Sequence, residues 1–156
     1  MVETLSYDVT AVSAAPPAAV WGLLLDARSW PEWSRLDALE SALSHDISPE
    51  GRDGVGATRA FRTGKVVTKE RITSLDPLRR FAYEGVENPH MSDYRAAVEL
   101  RETPEGGTHI HWHGTYFARG GMRWFFQWYL RRFMRSMAKG LAEYAATPDV
   151  LRTYRG

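Results

Sequence analysis

The period of the hydrophobic positions changes along the chain, and each change predicts an element. Tyr7 to Ala14 alternates apolar with polar residues, as a half-buried strand does. Pro16 and Pro17 then open a helix, because a proline in the first turn forfeits no hydrogen bond, and Ala18 to Leu25 carry it to Asp26. Trp30-Pro31-Glu32-Trp33 reads as a second short helical piece and Leu39 to Ile47 as a weak strand, while Pro49 to Gly56 has the turn chemistry of a loop. From Ala57 the alternation returns at hairpin spacing: strands over Ala57 to Arg62, Lys65 to Ser74, Arg79 to Val86, Tyr94 to Arg101 and Thr108 to Phe117. Turns separate them at Thr63-Gly64, Asp76-Pro77 and Pro104 to Gly107, with a loop over Glu87 to Asp93. After Gly120-Gly121 the period lengthens, and Phe126, Leu130, Phe133, Met137, Leu141 and Tyr144 recur at steps of three and four, which predicts one long amphipathic helix to about Ala145.

This order is α+β: a curved antiparallel sheet of about seven strands, two short helices after the first strand, and a long C-terminal helix. A concave sheet closed around a helix leaves a cavity between them. At 156 residues, 44% hydrophobic, the chain is expected to form a single domain over 1–156 that needs no staple. It has no cysteine, which removes disulfides, thiolate nucleophiles and Cys-ligated zinc together. Twenty basic against nineteen acidic residues leave no global field to attract nucleic acid. The N-terminus lacks the pattern of a signal peptide and no window is apolar enough to span a membrane, so the expected localisation is cytoplasmic.

The segment Pro16-Pro17-Ala18-Ala19-Val20-Trp21-Gly22-Leu23-Leu24-Leu25-Asp26, followed by Trp30-Pro31-Glu32-Trp33-Ser34, resembles the opening of the START-like helix-grip (SRPBCC) proteins, in particular the polyketide cyclase/dehydrase and lipid-transport branch. Val55-Gly56, Leu75-Asp76-Pro77-Leu78-Arg79-Arg80, Gly106-Gly107-Thr108 before a strand through Trp112, and the arginine-rich last helix follow in the same order. The resemblance implies a helix-grip fold with a deep pocket that accepts an apolar, ring-containing molecule such as a lipid, quinone or polyketide. It implies no particular reaction and no cofactor, since carriers, sensors and aromatase/cyclases share the fold.

Pleat arithmetic assigns the faces. With Thr63-Gly64 as a two-residue turn, Arg62 pairs with Lys65, and one face collects Arg62, Lys65, Lys69 and Arg71, the wet side. The other collects Arg59, Phe61, Val66, Thr68, Glu70 and Ile72, with Arg59 and Glu70 as diagonal neighbours and Tyr83 brought opposite Glu70. The expected ligand-binding set is Trp33, Arg59, Phe61, Glu70, Tyr83, Tyr94, Trp112 and Tyr116, with Phe126, Leu130 and Phe133 from the last helix. Glu70 serves either as a general acid or base of a cyclase or dehydratase, with Arg59 and tyrosine hydroxyls stabilising an enolate, or as half of a buried ion pair with Arg59 that fixes register or anchors a ligand.

Three louder signals add less. His109, His111 and His113 share one strand face opposite Ile110 and Trp112, hence the solvent side, and with no further ligand in view no metal is expected. Gly54-Val55-Gly56 with Gly64-Lys65 lacks the glycine and the Ser or Thr of a phosphate loop, since Arg59 and Val66 hold those positions. The last helix opens with Trp124, Phe125, Phe126, Trp128 and Tyr129 and carries Arg123, Arg131, Arg132, Arg135 and Lys139, with no acid between Arg119 and Lys139. One face cannot bury all those rings; either the helix packs against the sheet and the short helices with a solvated basic back, or the surplus gates the pocket mouth, meets a second subunit, or touches a membrane surface transiently, with monomer and homodimer both open.

Overall fold

The computed structural model describes residues 3–88, 91–118 and 120–154; part of the expected loop Glu87 to Asp93, and Arg119, lie outside them. The chain runs β1 (Glu3–Ser13), α1 (Pro17–Leu25), α2 (Trp30–Trp33), β2 (Ala38–Leu39), β3 (Thr58–Thr63), β4 (Val66–Asp76), β5 (Arg80–Glu87), β6 (Ser92–Glu102), β7 (Thr108–Ala118), α3 (Arg123–Ala145) and α4 (Pro148–Thr153). The strands form one seven-stranded antiparallel sheet in the order β1-β7-β6-β5-β4-β3-β2, so the first strand closes against the last. α3 lies across the concave face, and the fold is the helix-grip arrangement.

Two local expectations change. The weak strand over Leu39 to Ile47 shrinks to Ala38–Leu39, a 3-10 turn at Ser41–Leu43 and a single bridge from His45 to Thr58. The β3–β4 turn is Gly64-Lys65 rather than Thr63-Gly64, because Thr63 pairs with Val66. Gly64, at φ +60°, occupies the first central position, where a type II′ hairpin turn demands the left-handed region. The register therefore slips by two residues. A slip of two keeps every side chain on its expected face but changes every partner, and Arg59 comes to lie directly opposite Glu70.

β5 bends where Lys69 pairs with Glu87 but Glu70 with Gly85, and β4 has a second irregularity between Ile72 and Ser74. Bulges of this kind curl a sheet. Tyr83 consequently faces Ile72, not Glu70, and Glu70 faces a glycine.

α3 explains why the concave face is filled at one end only. Its C-terminal half presents Ala138, Gly140, Ala142 and Ala145, small residues that bring its backbone close to the rest of the core. A Cβ at Gly140 would sit 1.9 Å from the Trp33 carbonyl oxygen, and Ser13 Oγ donates to the Ala142 carbonyl at 2.7 Å, pinning α3 to β1. The N-terminal half carries Phe126, Tyr129 and Phe133, whose bulk holds the helix away from the sheet.

Candidate functional site

A cavity of about 430 Å³ occupies the space between the N-terminal half of α3 and the sheet. Its floor and far wall are Thr63, Val66, Thr68, Glu70, Tyr83 and Tyr94, with Leu36, Asn88 and Met91 at the sides. Phe125, Phe126, Tyr129, Leu130, Phe133, Met134 and Met137 of α3 close it. The volume falls within the roughly 300–1,000 Å³ that holds small organic ligands.

Six of the expected site residues line this space: Glu70, Tyr83, Tyr94, Phe126, Leu130 and Phe133. Five do not. Trp33, Phe61 and Trp112 belong to the filled end, where Trp30 stacks on Phe61 (ring centroids 5.4 Å apart) and meets Trp33 at 5.0 Å and Trp112 edge-on at 5.7 Å. Indole hydrogens complete that packing: Trp30 Nε1 donates to the Leu24 carbonyl at 3.2 Å and Trp33 Nε1 to Ser29 Oγ at 3.2 Å. Tyr116 is buried edge-on against Phe126, behind the lining rather than in it.

Arg59 is the largest correction. It is buried, and its Nε donates not to Glu70 but to Asp53 Oδ2 at 3.0 Å, while Nη2 donates to the Leu24 carbonyl at 2.7 Å. The guanidinium lies over the rings of Trp30 and Phe81, 5.3 and 5.1 Å from their centroids. Asp53 Oδ1 accepts from the Ser48 amide at 2.7 Å, so the same carboxylate ties the loop before β3 to the sheet. Burial lowers the Arg59 pKa, and the Asp53 charge opposes that shift. The Arg59–Asp53 pair is thus a structural tie beneath α1, outside the cavity.

Glu70 is left by itself as a result. It is half-buried on the cavity wall, and among the described residues no donor or cation pairs with its carboxylate. Burial raises its pKa to about 7, with the more distant Arg59 charge pulling the other way. A group poised there changes charge near neutrality.

Beside it stands a chain of buried hydroxyls. Trp112 Nε1 donates to Tyr83 Oη at 3.1 Å, Tyr83 and Tyr94 hydroxyls meet at 3.2 Å, and Tyr94 makes a short contact with the Tyr7 hydroxyl. Burial raises all three tyrosine pKa values well above the ordinary phenol value, and the Glu70 charge adds to the rise. Glycines make room for the rings. A Cβ at Gly114 would lie 2.8 Å from the Tyr7 ring, and one at Gly85 3.1 Å from Tyr94 Cβ. Three hydroxyl hydrogens serve these two hydroxyl contacts while Trp112 donates into the chain, so among the described residues the chain of tyrosines carries one O–H donor in surplus.

Sequence reasoning missed Tyr7, Asn88, Met91, Leu36 and the two α3 methionines. Tyr7 was readable as an inward residue of β1. Nothing local showed that β1 pairs with β7 and sets Tyr7 opposite Gly114, which brings its hydroxyl to Tyr94.

The sequence from residue 4 to residue 146 matches the family described as polyketide cyclase / dehydrase and lipid transport. The chain belongs to this family. No curated protein sequence matches it. Solved structures of similar fold include the protein XoxI from Bacillus cereus, with 17% identity and a TM-score of 0.65 over 90% of this chain and 92% of that one. A protein from Nitrosospira multiformis has 18% identity and a TM-score of 0.68, over 93% and 98%. Ara h 8.0201 has 14% identity and a TM-score of 0.67, over 92% and 98%. Family membership and these folds are consistent with a hydrophobic ligand, and no helix of the described residues is long and apolar enough to cross a membrane.

Proposed function

We propose that the protein binds an apolar, ring-containing small molecule, of lipid, quinone or polyketide type, in the cavity between the sheet and α3, and acts as its carrier or binding protein. The observation that carries this reading is a cavity of about 430 Å³ with an apolar lining and one carboxyl group that lacks a partner among the described residues. The phenyl rings and methionines supply contact area, while Glu70 and the surplus tyrosine O–H address a polar end such as a carbonyl or phenol. Met91, Met134 and Met137 adapt to ligands of differing shape. Native mass spectrometry of protein purified from its own host tests the proposal. Expected is an added mass removable by organic solvent and absent from Leu130→Trp, which fills the cavity; host-purified protein of bare chain mass counts against a carrier.

An enzymatic reading rests on the Glu70 pKa near 7. As a carboxylate Glu70 would take a proton from carbon next to a carbonyl, and a tyrosine hydroxyl would donate to the developing oxyanion, the acid form then returning the proton in a cyclisation or dehydration. Turnover of a poly-β-ketone substrate that survives Glu70→Gln undiminished rules this role out.

A membrane-surface reading rests on Trp124, Phe125 and Trp128, which are 70%, 57% and 54% exposed at the start of α3. Phe125 also lines the cavity, so the exposed rings stand at its mouth. Arg132 covers Trp128, its guanidinium carbon 5.1 Å from the ring centroid, which adds charge attractive to anionic headgroups.

A further inference from the structure

The convex face of the sheet brings together a set of side chains that the strand order alone creates. His111 and His113 of β7 point away from the core, opposite buried Ile110 and Trp112. β6 places Glu99 directly across from His111, and β1 places Asp8 across from His113, diagonal to His111. The two imidazoles lie against each other with centroids 4.7 Å apart. Glu99, His111 and His113 each turn a donor atom inward, all within 4.8 Å of one another.

The hydrogen-bond directions sharpen the cluster. His111 Nε2 lies 2.9 Å from Asp8 Oδ1, a contact that favours the tautomer with its proton on Nε2. That leaves the Nδ1 lone pair aimed at Glu99 Oε2, 3.6 Å away. A lone pair facing a carboxylate oxygen is repulsive unless a positive charge, a proton or a metal ion, lies between them. Two ligands about 2.1 Å from a tetrahedral ion stand about 3.4 Å apart, close to the separation seen. His113 Nε2 is hydrogen-bonded to the same oxygen at 2.8 Å and becomes the third donor when an ion displaces the proton between them. Asp8 then plays the part that a carboxylate behind a metal-bound histidine ordinarily plays, setting tautomer and orientation.

We propose that His111 Nδ1, His113 Nε2 and Glu99 form a site for a divalent transition metal, with Asp8 as the positioning residue for His111. Two imidazoles and a carboxylate suit Zn²⁺, Ni²⁺ or Cu²⁺ rather than Mg²⁺ or Ca²⁺. Three protein donors leave the remaining coordination to water or an external ligand. An ion here joins β6 and β7 directly and engages β1 through Asp8. The site lies on the opposite face of the sheet from the cavity, so it stands or falls independently of the ligand-binding reading.

Isothermal titration of untagged protein with ZnCl₂ tests it. Expected is one Zn²⁺ per chain at micromolar or tighter affinity, weakened at least a hundredfold by His113→Ala and by Glu99→Gln, and about ten- to a hundredfold by Asp8→Asn with stoichiometry unchanged. His109→Ala, on the same face but outside the cluster, leaves the affinity as it was. Histidine side-chain NMR gives a second readout on the unaltered chain: Zn²⁺ shifts the ring signals of His111 and His113 and leaves that of His45. No stoichiometric binding, affinity unchanged in His113→Ala and Glu99→Gln, or equal shifts at every histidine overturns the proposal.

Discussion

The concave face of this sheet has two ends built from the same kinds of residue, one solid and one hollow. At the solid end Trp30, Trp33, Phe61, Phe81 and Trp112 pack ring against ring, and the charge among them, Arg59, is matched by Asp53 and two aromatic faces. At the hollow end Tyr83, Tyr94, Phe126 and Phe133 surround open space, and the carboxyl of Glu70 has no partner among the described residues. The aromatic content is similar; the occupant differs. α2 inserts Trp30 and Trp33 at the first end, whereas at the second the long helix α3 covers the sheet, held off by its own large side chains. Aromatic residues fill a core when a second element delivers them into it, and line a cavity when they act as spacers.

The largest expected effect tests the solid end. Trp30→Ala should destabilise by about 3–5 kcal/mol in chemical denaturation, as loss of a fully packed large ring does, whereas Phe133→Ala, which already faces empty volume, should cost only about 1 kcal/mol. Equal costs would erase the distinction between the two ends. Asp53→Ala should be comparably severe, about 3–5 kcal/mol, because it strands the buried Arg59 charge and frees the loop that Asp53 holds at Ser48.

The Glu70 carboxyl provides the next contrast. Its folded pKa of about 7 stands above the ordinary 4.5, so between those values the folded chain binds more protons than the unfolded one, and stability falls as pH rises through the window. The loss is on the order of 2 kcal/mol by pH 8, allowing for its opening onto the cavity. Glu70→Gln should flatten this slope, read from denaturation midpoints at pH 5 and pH 8; an unchanged slope would show that Glu70 is ordinarily solvated. The smallest stability effect belongs to the mouth. Trp124→Ala and Trp128→Ala should stay within about 0.5 kcal/mol of the parent, since both rings are exposed. Salt-sensitive sedimentation with anionic vesicles should be lost in the pair, and its persistence would separate those rings from any membrane role.

Particular residues show how far the sequence could be read. Alternation put Tyr94 of β6 and Ile110, Trp112 and Tyr116 of β7 on the inner face, and all are buried. The 3.6-residue period located α3 nearly to its end, although α4 (Pro148–Thr153) went unread beyond it. The hairpin failed by two residues because both Thr63-Gly64 and Gly64-Lys65 place a glycine in the turn, and only the II′ geometry selects the second. Faces survived that error and partners did not. The Arg59–Glu70 ion pair failed for a different reason: the two are register partners, but the guanidinium turns away to Asp53, which sits in a loop that carries no period at all.

By itself the sequence determined the order and type of the main elements, the inner and outer faces of β3, β4, β6 and β7, and the family to which the chain belongs. Those follow from local periods of two and 3.6 residues, which any window of the chain displays. Tertiary structure alone decided which inward residues meet one another and which meet empty space. That depends on where α3 can approach the sheet, closely at Gly140 and Ala142 and distantly at Phe126 and Phe133. It depends also on the closure of β1 onto β7, which carries Tyr7 to Tyr94 on one face and Asp8 to His111 on the other. Contacts across about a hundred residues of chain leave no local periodic signature; they exist only once the sheet has closed.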